Sequence, residues 1–514
     1  MLARVSSGAL RGIDAILVAV EVDVSSGLPH TTTVGLPDGA VREASDRIRA
    51  ALRNAGLEYP TKRVTVNLAP AGVRKEGAAF DLPIALGILA ADGKTSLPAL
   101  DGWCVLGELG LDGRVHAVRG ALSIAMAARR AALKGLVVPA ANAPEAALAG
   151  GPPVIGVETI AEAVAHVRGE ATRSPTTVDG EALLAAAPLA AGDLADVRGQ
   201  AHARRALEVA AAGGHNVLLI GPPGSGKTML ARRLPSILPP LALDEAIEVT
   251  MIHSVAGLLD GRPLVTSRPV RAPHCSISDA ALLGGGNPIR PGEVTLAHRG
   301  VLFMDELPEF RRNALEPLRQ PLEERRITVA RGSGAIHYPS AFQLVAAMNP
   351  CVCGWLGDAS DRCRCTPPML DRYRARVSGP LLDRIDLHVE VPRVAVTTLA
   401  EETPGGESSA TIRARVISAR ERQRARLTRL GVAVNAHVPG REVRRVCRID
   451  ARGRRLLEAA SDRLGLSARG YTRILRVART IADLAGEDEI TTSHLAEAIQ
   501  YRSLDRRAAR SSYG

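Results

Sequence analysis

A chain of 514 residues is too long for a single hydrophobic core, so two to four domains are expected. Apolar residues at 46% and charged residues at 23% are an ordinary folded balance, which excludes a disordered or fibrous chain. The formal charge of +11 is uneven: from Thr411 to Gly514 there are 23 Arg and no Lys against 11 acidic residues. A basic face in that last fifth would attract polyanions such as nucleic acid, or would simply be solvated. Arg outnumbers Lys by 60 to 5 throughout, so Arg in place of Lys is not itself a sign of recognition.

Near the start, "AILVAV" is six residues long and flanked by Asp14 and Glu21, neither a signal peptide nor a membrane span. No other run approaches membrane-crossing length. The expected location is cytoplasmic with no membrane partner, where seven cysteines are thiols or metal ligands sooner than disulfides. Residues 1–170 mix β-like runs ("AILVAVEVDV", "RVTVNLAP", "GLVVP") with helical patterns ("VREASDRIRAALRNAG", "RGALSIAMAARRAALKG"), an α+β layout. Small residues and Pro make 171–195 a linker, and 396–411 ("VTTLAEETPGGESSAT") reads as a second. Between them, 196–395 alternates strand and helix as a parallel nucleotide-binding sheet does. Residues 412–514 are helical and basic, with Ile474, Val477, Ala478 and Ile481 on one face of a helix beginning near Ser467. The fold class expected is multidomain α/β.

The strongest signal is "NVLLIGPPGSGKTMLARRL". An apolar strand runs into Gly221, Pro222, Pro223, Gly224, Ser225, Gly226, Lys227 and Thr228, the pattern G-x-x-x-x-G-K-[ST], and then into a helix. Glycines let backbone N–H groups close around phosphate oxygens, and the helix N-terminus adds its dipole. Lys227 reaches the β and γ phosphates of ATP, and the Thr228 hydroxyl ligates Mg²⁺. A second strand, "GVLFMDEL", delivers Asp305 and Glu306 to the carboxyl edge of the sheet, Asp305 for Mg²⁺ and Glu306 to polarise the attacking water. A third, "QLVAAMN", ends at Asn349, an amide able to position the same water or sense the γ-phosphate.

This order continues through "LLDRIDLHVEV", with Arg384, to a helical block with Arg469 in the first turn of a helix, and it resembles the AAA+ plan. The resemblance implies that Arg384 is a finger inserted into a neighbouring subunit's ATP. It also makes Arg469 the second sensor of a helical lid, with Arg473, one turn on, as the alternative. "TSRPVRAPHCSIS", "LLGGGNPIRPGEVTLAHRGVLF" and "ELPEFRRNALEPLRQPLEERRITVARGSGAIHYP" closely resemble magnesium-chelatase-like AAA+ proteins, specifically the ComM/YifB family, along essentially the whole chain. That family has a His pair where this chain reads His274-Cys275. Its implied activity is ATP hydrolysis by a homo-oligomeric ring, a hexamer by family expectation, driving branch migration or helicase action on branched DNA. The rival is a magnesium-chelatase-like remodeller acting on a large protein partner. "RRITVARGSGAIHYP" reads as a hairpin, with Arg331 near its tip a candidate DNA contact or an ordinary exposed Arg. The first block resembles the proteolytic domain of Lon, but Ala79 stands at the place of the nucleophilic Ser and Leu122 at that of the Lys, so no protease activity is expected.

"NPCVCGWLGDASDRCRCTP" places Cys351, Cys353, Cys363 and Cys365 in the pattern C-x-C-x₉-C-x-C. Four thiolates can close a structural Zn²⁺ site; reduced, metal-free thiols in a loop are the alternative. A closed thiolate shell has no open position for ATP chemistry, so zinc would pin the loop that leaves the sheet after Asn349.

Overall fold

The computed structural model describes the chain except residues 96, 98, 99, 189–191, 288, 332, 333, 359–361, 395–405, 503 and 505–514. Most of the expected linker 396–411 and the tip of the 326–339 hairpin therefore lie outside the described residues.

The chain starts as a hairpin, Leu2–Arg11 antiparallel to Asp14–Ser25 with Arg11 opposite Asp14. Gly12 turns the corner at φ +68°, a backbone region that disfavours other residues. Val18, Val20, Val22 and Val24 alternate onto the buried face, as a period of two requires. A seven-stranded mixed sheet forms in the spatial order His30–Val34, Arg63–Ala69, Asp14–Ser25, Leu2–Arg11, Trp103–Val105, Gly135–Pro139, Val154–Val157. The helix Asp81–Asp92 packs on it and is buried on nearly every side, so it reads as continuously apolar. Its one buried charge, Asp81, takes two 2.9 Å bonds from Arg47, as a carboxylate removed from water must.

The central sheet has five parallel strands in the spatial order Val270–Arg271, Val301–Met304, Gln343–Met348, Val217–Ile220, Leu387–Glu390. Every residue of the three middle strands is buried, which is why each reads as an unbroken apolar run. Parallel strands place all their carboxyl ends on one edge and all their amino ends on the other. That division organises the rest of the molecule.

The C-terminal block comprises the helices Ser409–Leu427, Ala451–Leu464, Ala468–Ala485 and Thr492–Gln500 with short turns between them. It shares one apolar core with the sheet: Ile474, Val477, Ala478 and Ile481 join the cluster that holds Val217, Leu219, Val345 and Leu387. Among the described residues, the N-terminal block packs on the central block in two apolar clusters. Ala125 and Ala128 pack with Leu241 and Ala246, where Ser254 Oγ accepts from the Gly120 N–H at 3.0 Å. Ile13, at the tip of the first hairpin, packs with Val329, Ile336 and Tyr338 of the hairpin Arg326–Arg331/Gly334–Pro339. The stretch 171–195 includes a helix, Gly180–Ala185, whose Leu183 and Leu184 pack against the first of these contacts. No helix among the described residues is long and apolar enough to cross a membrane.

Candidate nucleotide site

The strand Val217–Ile220 ends at Gly221, and the helix Lys227–Ile237 begins six residues on. A Cβ on Gly221 would lie 2.1 Å from the Val391 carbonyl oxygen, so the turn admits only glycine. Gly224 and Gly226 take φ of +74° and +91°, the geometry that turns successive N–H groups inward. Lys227 Nζ donates to the carbonyls of Gly221 at 2.7 Å and Pro222 at 2.9 Å and to Asn349 Oδ1 at 3.2 Å. Burial pulls its pKa below the ordinary lysine value, against the opposing charges of Asp305 and Glu306. Thr228 Oγ1 donates to Asp305 Oδ2 at 2.8 Å. Glu306 follows in a left-handed conformation, φ +52°, with its side chain exposed and its N–H on Asp305 Oδ1 at 2.9 Å.

These residues fit a magnesium nucleotide. Ser225 Oγ is buried without a hydrogen-bond partner, an orphan donor inside a phosphate-shaped turn. Thr228 and Asp305 offer the hard oxygens that Mg²⁺ takes, and Lys227 needs only to leave its carbonyls to meet phosphate. Gln200 is a residue the sequence reading missed. Its Nε2 donates to the Ser225 carbonyl at 3.3 Å and the Pro392 carbonyl at 2.5 Å, tying the loop to the end of the neighbouring strand. The only signal for it was a Gly-Gln pair ahead of a helix.

The cysteine loop lies against this turn. A Cβ on Gly354 would meet Pro223 Cδ at 2.7 Å, with Asn349 Cγ at 3.9 Å, and Tyr373 Oη donates to the Asn349 carbonyl at 3.3 Å. The sulfurs of Cys351, Cys353 and Cys363 are 3.4, 3.8 and 3.7 Å apart, and those of all four cysteines fall within 4.8 Å of one another. A tetrahedron with metal–sulfur bonds of about 2.3 Å has edges of about 3.8 Å, so this cluster could hold a metal ion. The Trp355 N–H brings the Cys353 thiol down to about 6, while burial pushes Cys351 up.

The arginines sit on the other edge. Arg384 precedes the strand Leu387–Glu390, and its carbonyl accepts from Asn216 Nδ2 at the start of the P-loop strand. It is 4% exposed, with Nη2 on Glu323 at 2.8 Å, Nη1 on the Pro380 carbonyl at 2.6 Å, and Nε without a partner. Arg469 is exposed and lies 3.7 Å from the same Glu323 oxygen. Glu323 is a second missed residue, in a segment quoted without a role for it. The alternative, Arg473, is buried and bonded to Asp386. Burial pushes Asp386 up, but Arg473 and His215 outweigh it and hold its carboxyl far below the usual range. Arg473 thus belongs to a buried network that joins the helical block to the sheet.

Three further candidates are placed as follows. The Arg331 side chain lies outside the described residues. His274 bonds its Nδ1 to Ser276 Oγ at 2.8 Å, while Cys275 packs at the edge of the apolar cluster around Leu282. The Ala79 carbonyl accepts from the Gly107 N–H, and Leu122 is fully buried among apolar residues, so neither position carries a nucleophile or base.

Comparison with known proteins agrees with this architecture. Residues 20–142 match the family described as subunit ChlI of Mg-chelatase, 193–399 match magnesium chelatase, subunit ChlI, and 406–502 match its C-terminal part. The chain is 44% identical over 507 residues to the YifB protein of Escherichia coli strain K12, covering 98% of each. It is 44% identical over 506 residues to the competence protein ComM of Haemophilus influenzae, again 98% of each. Similarity to the magnesium-chelatase 38 kDa subunit of Acidiphilium rubrum is 24% over 300 residues, 54% of this chain and 79% of that protein. A P-loop sheet carrying this acid pair, with matches along nearly the whole length, places the chain in the ComM/YifB family of magnesium-chelatase-like AAA+ ATPases.

Proposed function

We propose that the chain is a ring-forming motor in which ATP hydrolysis at the interface between copies drives branch migration or unwinding of DNA. The observation that carries the ring is the separation of the site into two halves. Lys227, Thr228, Asp305, Glu306 and Asn349 gather at the carboxyl edge of the sheet. Arg384 and Arg469 converge on Glu323 at the amino edge. A four-residue strand, about 13 Å long, lies between them, so a fixed core cannot bring its own Arg384 to its own phosphates. A second copy can, with both arginines arriving together.

In this reading the turn 221–228 holds the triphosphate by backbone N–H groups, Ser225 Oγ and Lys227. Thr228 and Asp305 would hold Mg²⁺, which supplies charge neutralisation across the β and γ phosphates when bound. Glu306, left exposed by its left-handed turn, orients the attacking water, and Asn349 fixes that water against the γ-phosphate. The neighbour's Arg384 stabilises the charge of the transition state, and Arg469 serves as second sensor. The helical block acts as a lid. Cys351, Cys353, Cys363 and Cys365 would hold Zn²⁺, which would stiffen the loop packed beside Pro223. The N-terminal block is a Lon-like domain without protease activity, supporting assembly or DNA handling. Six copies are the family expectation, and Arg331 remains a candidate DNA contact.

The DNA part rests on the likeness to a competence protein and on the basic C-terminal block. Likeness to a magnesium-chelatase subunit supports the alternative, a remodeller of a large protein partner. The test is ATP turnover by the purified chain with and without a four-way DNA junction, beside Lys227→Ala, together with junction movement on a gel. Stimulated turnover and moved junctions are expected. An assembled ring that hydrolyses ATP but ignores DNA would remove the DNA reading and favour the remodeller.

A further inference from the structure

The amino edge of the central sheet also carries a cationic cleft remote from the nucleotide turn. It has a volume of about 90 Å³ and opens between the sheet and the helical block, where Arg268, Arg299, Arg420, Arg424 and His437 line it with one carboxylate, Glu245, around Gly300 and Gln343. Charge is unbalanced across it. On the core side Arg268 meets Glu245 at 2.9 Å and Arg299 meets Glu248 at 2.9 Å. On the helical side no carboxylate pairs with Arg420 or Arg424 among the described residues. Arg420 gives Nε and Nη2 to the Ala211 carbonyl at 3.0 and 2.6 Å, capping the helix Ala201–Gly213. Arg325 adds a further cation, its Nη1 3.4 Å from His437 Nδ1. Burial and the charges of Arg268 and Arg424 bring Arg420 down to about 9, and burial with Arg325 and Arg420 brings His437 to about 3.

We propose that this cleft is a binding site for a phosphate-bearing anion, one phosphate group deep, that bridges Arg268 and Arg299 of the core to Arg420 and Arg424 of the helical block. Guanidinium forks match phosphate oxygens, and an anion there would supply the charge that the helical side lacks. A cleft of about 90 Å³ suits such a group and is far below the roughly 300 Å³ of a drug-sized pocket. The same chemistry is offered by the backbone of a nucleic acid strand and by a free polyphosphate. The site makes no use of the residues assigned to hydrolysis, so it stands whether or not that reading does.

The experiment uses the full chain carrying Lys227→Ala, which weakens the nucleotide turn as a competing phosphate site. Two probes are titrated separately, inorganic tripolyphosphate by thermal unfolding and calorimetry, and fluorescein-labelled single-stranded DNA by anisotropy. We expect at least one to bind and its affinity to fall about tenfold with Arg420→Gln plus Arg424→Gln. For DNA, the dependence of log affinity on log salt should flatten by about one to two units. Because Arg420 caps a helix, Arg424→Gln alone, at an exposed position, should show a smaller loss in the same direction. Loss confined to DNA assigns a backbone phosphate, and loss confined to tripolyphosphate assigns a free anion. Failure of both probes to bind overturns the proposal. So does an equal loss with Arg441→Gln plus Arg445→Gln, an exposed pair elsewhere on the helical block.

Discussion

The two edges of the central sheet are built on different terms. At the carboxyl edge, residues from three neighbouring parallel strands meet within hydrogen-bonding distance inside one chain, Lys227 with Asn349 and Thr228 with Asp305. At the amino edge, Arg384 is buried and its Nε unpartnered, and Arg384 and Arg469 share one carboxylate, Glu323. The first edge gathers its polar residues on one another, whereas the second gathers two arginines on a single carboxylate. A parallel sheet forces this division, because its strands cannot present opposite ends on one side.

The largest effect should come from taking away Arg384, which we propose completes the first edge of a neighbouring copy. Arg384→Ala should lower hydrolysis by about 10³-fold or more while nucleotide binding, read by a fluorescent analogue, persists. Mixing it with Lys227→Ala should restore part of the activity, because the Lys227→Ala copy still supplies Arg384 to its neighbour's intact turn. Wild-type turnover in Arg384→Ala alone would break the division between the edges.

Next is the cysteine loop, which should act on the first edge alone. Cys353→Ser plus Cys363→Ser should abolish the metal content measured in protein purified without an affinity tag. It should lower kcat by 10- to 100-fold, on the order expected when a reacting group shifts by about 1 Å, with little change in nucleotide affinity. The reason is the close approach of Gly354 to Pro223, which leaves no room for a Cβ, and the Tyr373 hydrogen bond to the Asn349 carbonyl. Affinity loss with unchanged kcat would place the loop's effect elsewhere.

A smaller effect belongs to Glu323. Glu323→Gln leaves Arg384 buried with a weaker partner, and should cost about 1–3 kcal/mol in denaturant unfolding. A double-mutant cycle with Arg384→Ala should be non-additive, whereas additive losses would mean that the pair does not interact. The smallest effect concerns acid stability beside the cleft. Glu248 is held down to about 2 by the His298 hydrogen bond and by Arg299, against burial, from an ordinary value of 4.5. Its folded pKa is depressed, so its stabilisation is complete above pH 4.5 and is lost as pH falls from there toward 2. Glu248→Gln should therefore flatten the fall of Tm across that window; an unchanged slope would deny Glu248 this part.

Legibility followed the same line. The strands Val217–Ile220, Val301–Met304 and Gln343–Met348 and the residues at their ends could be read directly, because burial on both faces writes unbroken apolar runs and the phosphate turn needs glycines at set spacing. The cysteines were legible as a set but not their nearness to Pro223, which depends on how a loop folds back. On one helix Arg469 is the candidate and Arg473, one turn on, its alternative; packing separates the buried partner of Asp386 from the exposed neighbour of Glu323. Gln200 carried only a Gly-Gln pair ahead of a helix, and Glu323 carried no local pattern.

By itself, then, the sequence determined the chemistry of the carboxyl edge, since that edge is assembled from short segments whose composition is dictated by phosphate, metal and a buried sheet. Tertiary structure alone decided which cations gather at the amino edge. Those residues come from helices and turns scattered between Arg268 and Arg469, and their company is set by the packing of the helical block on the sheet.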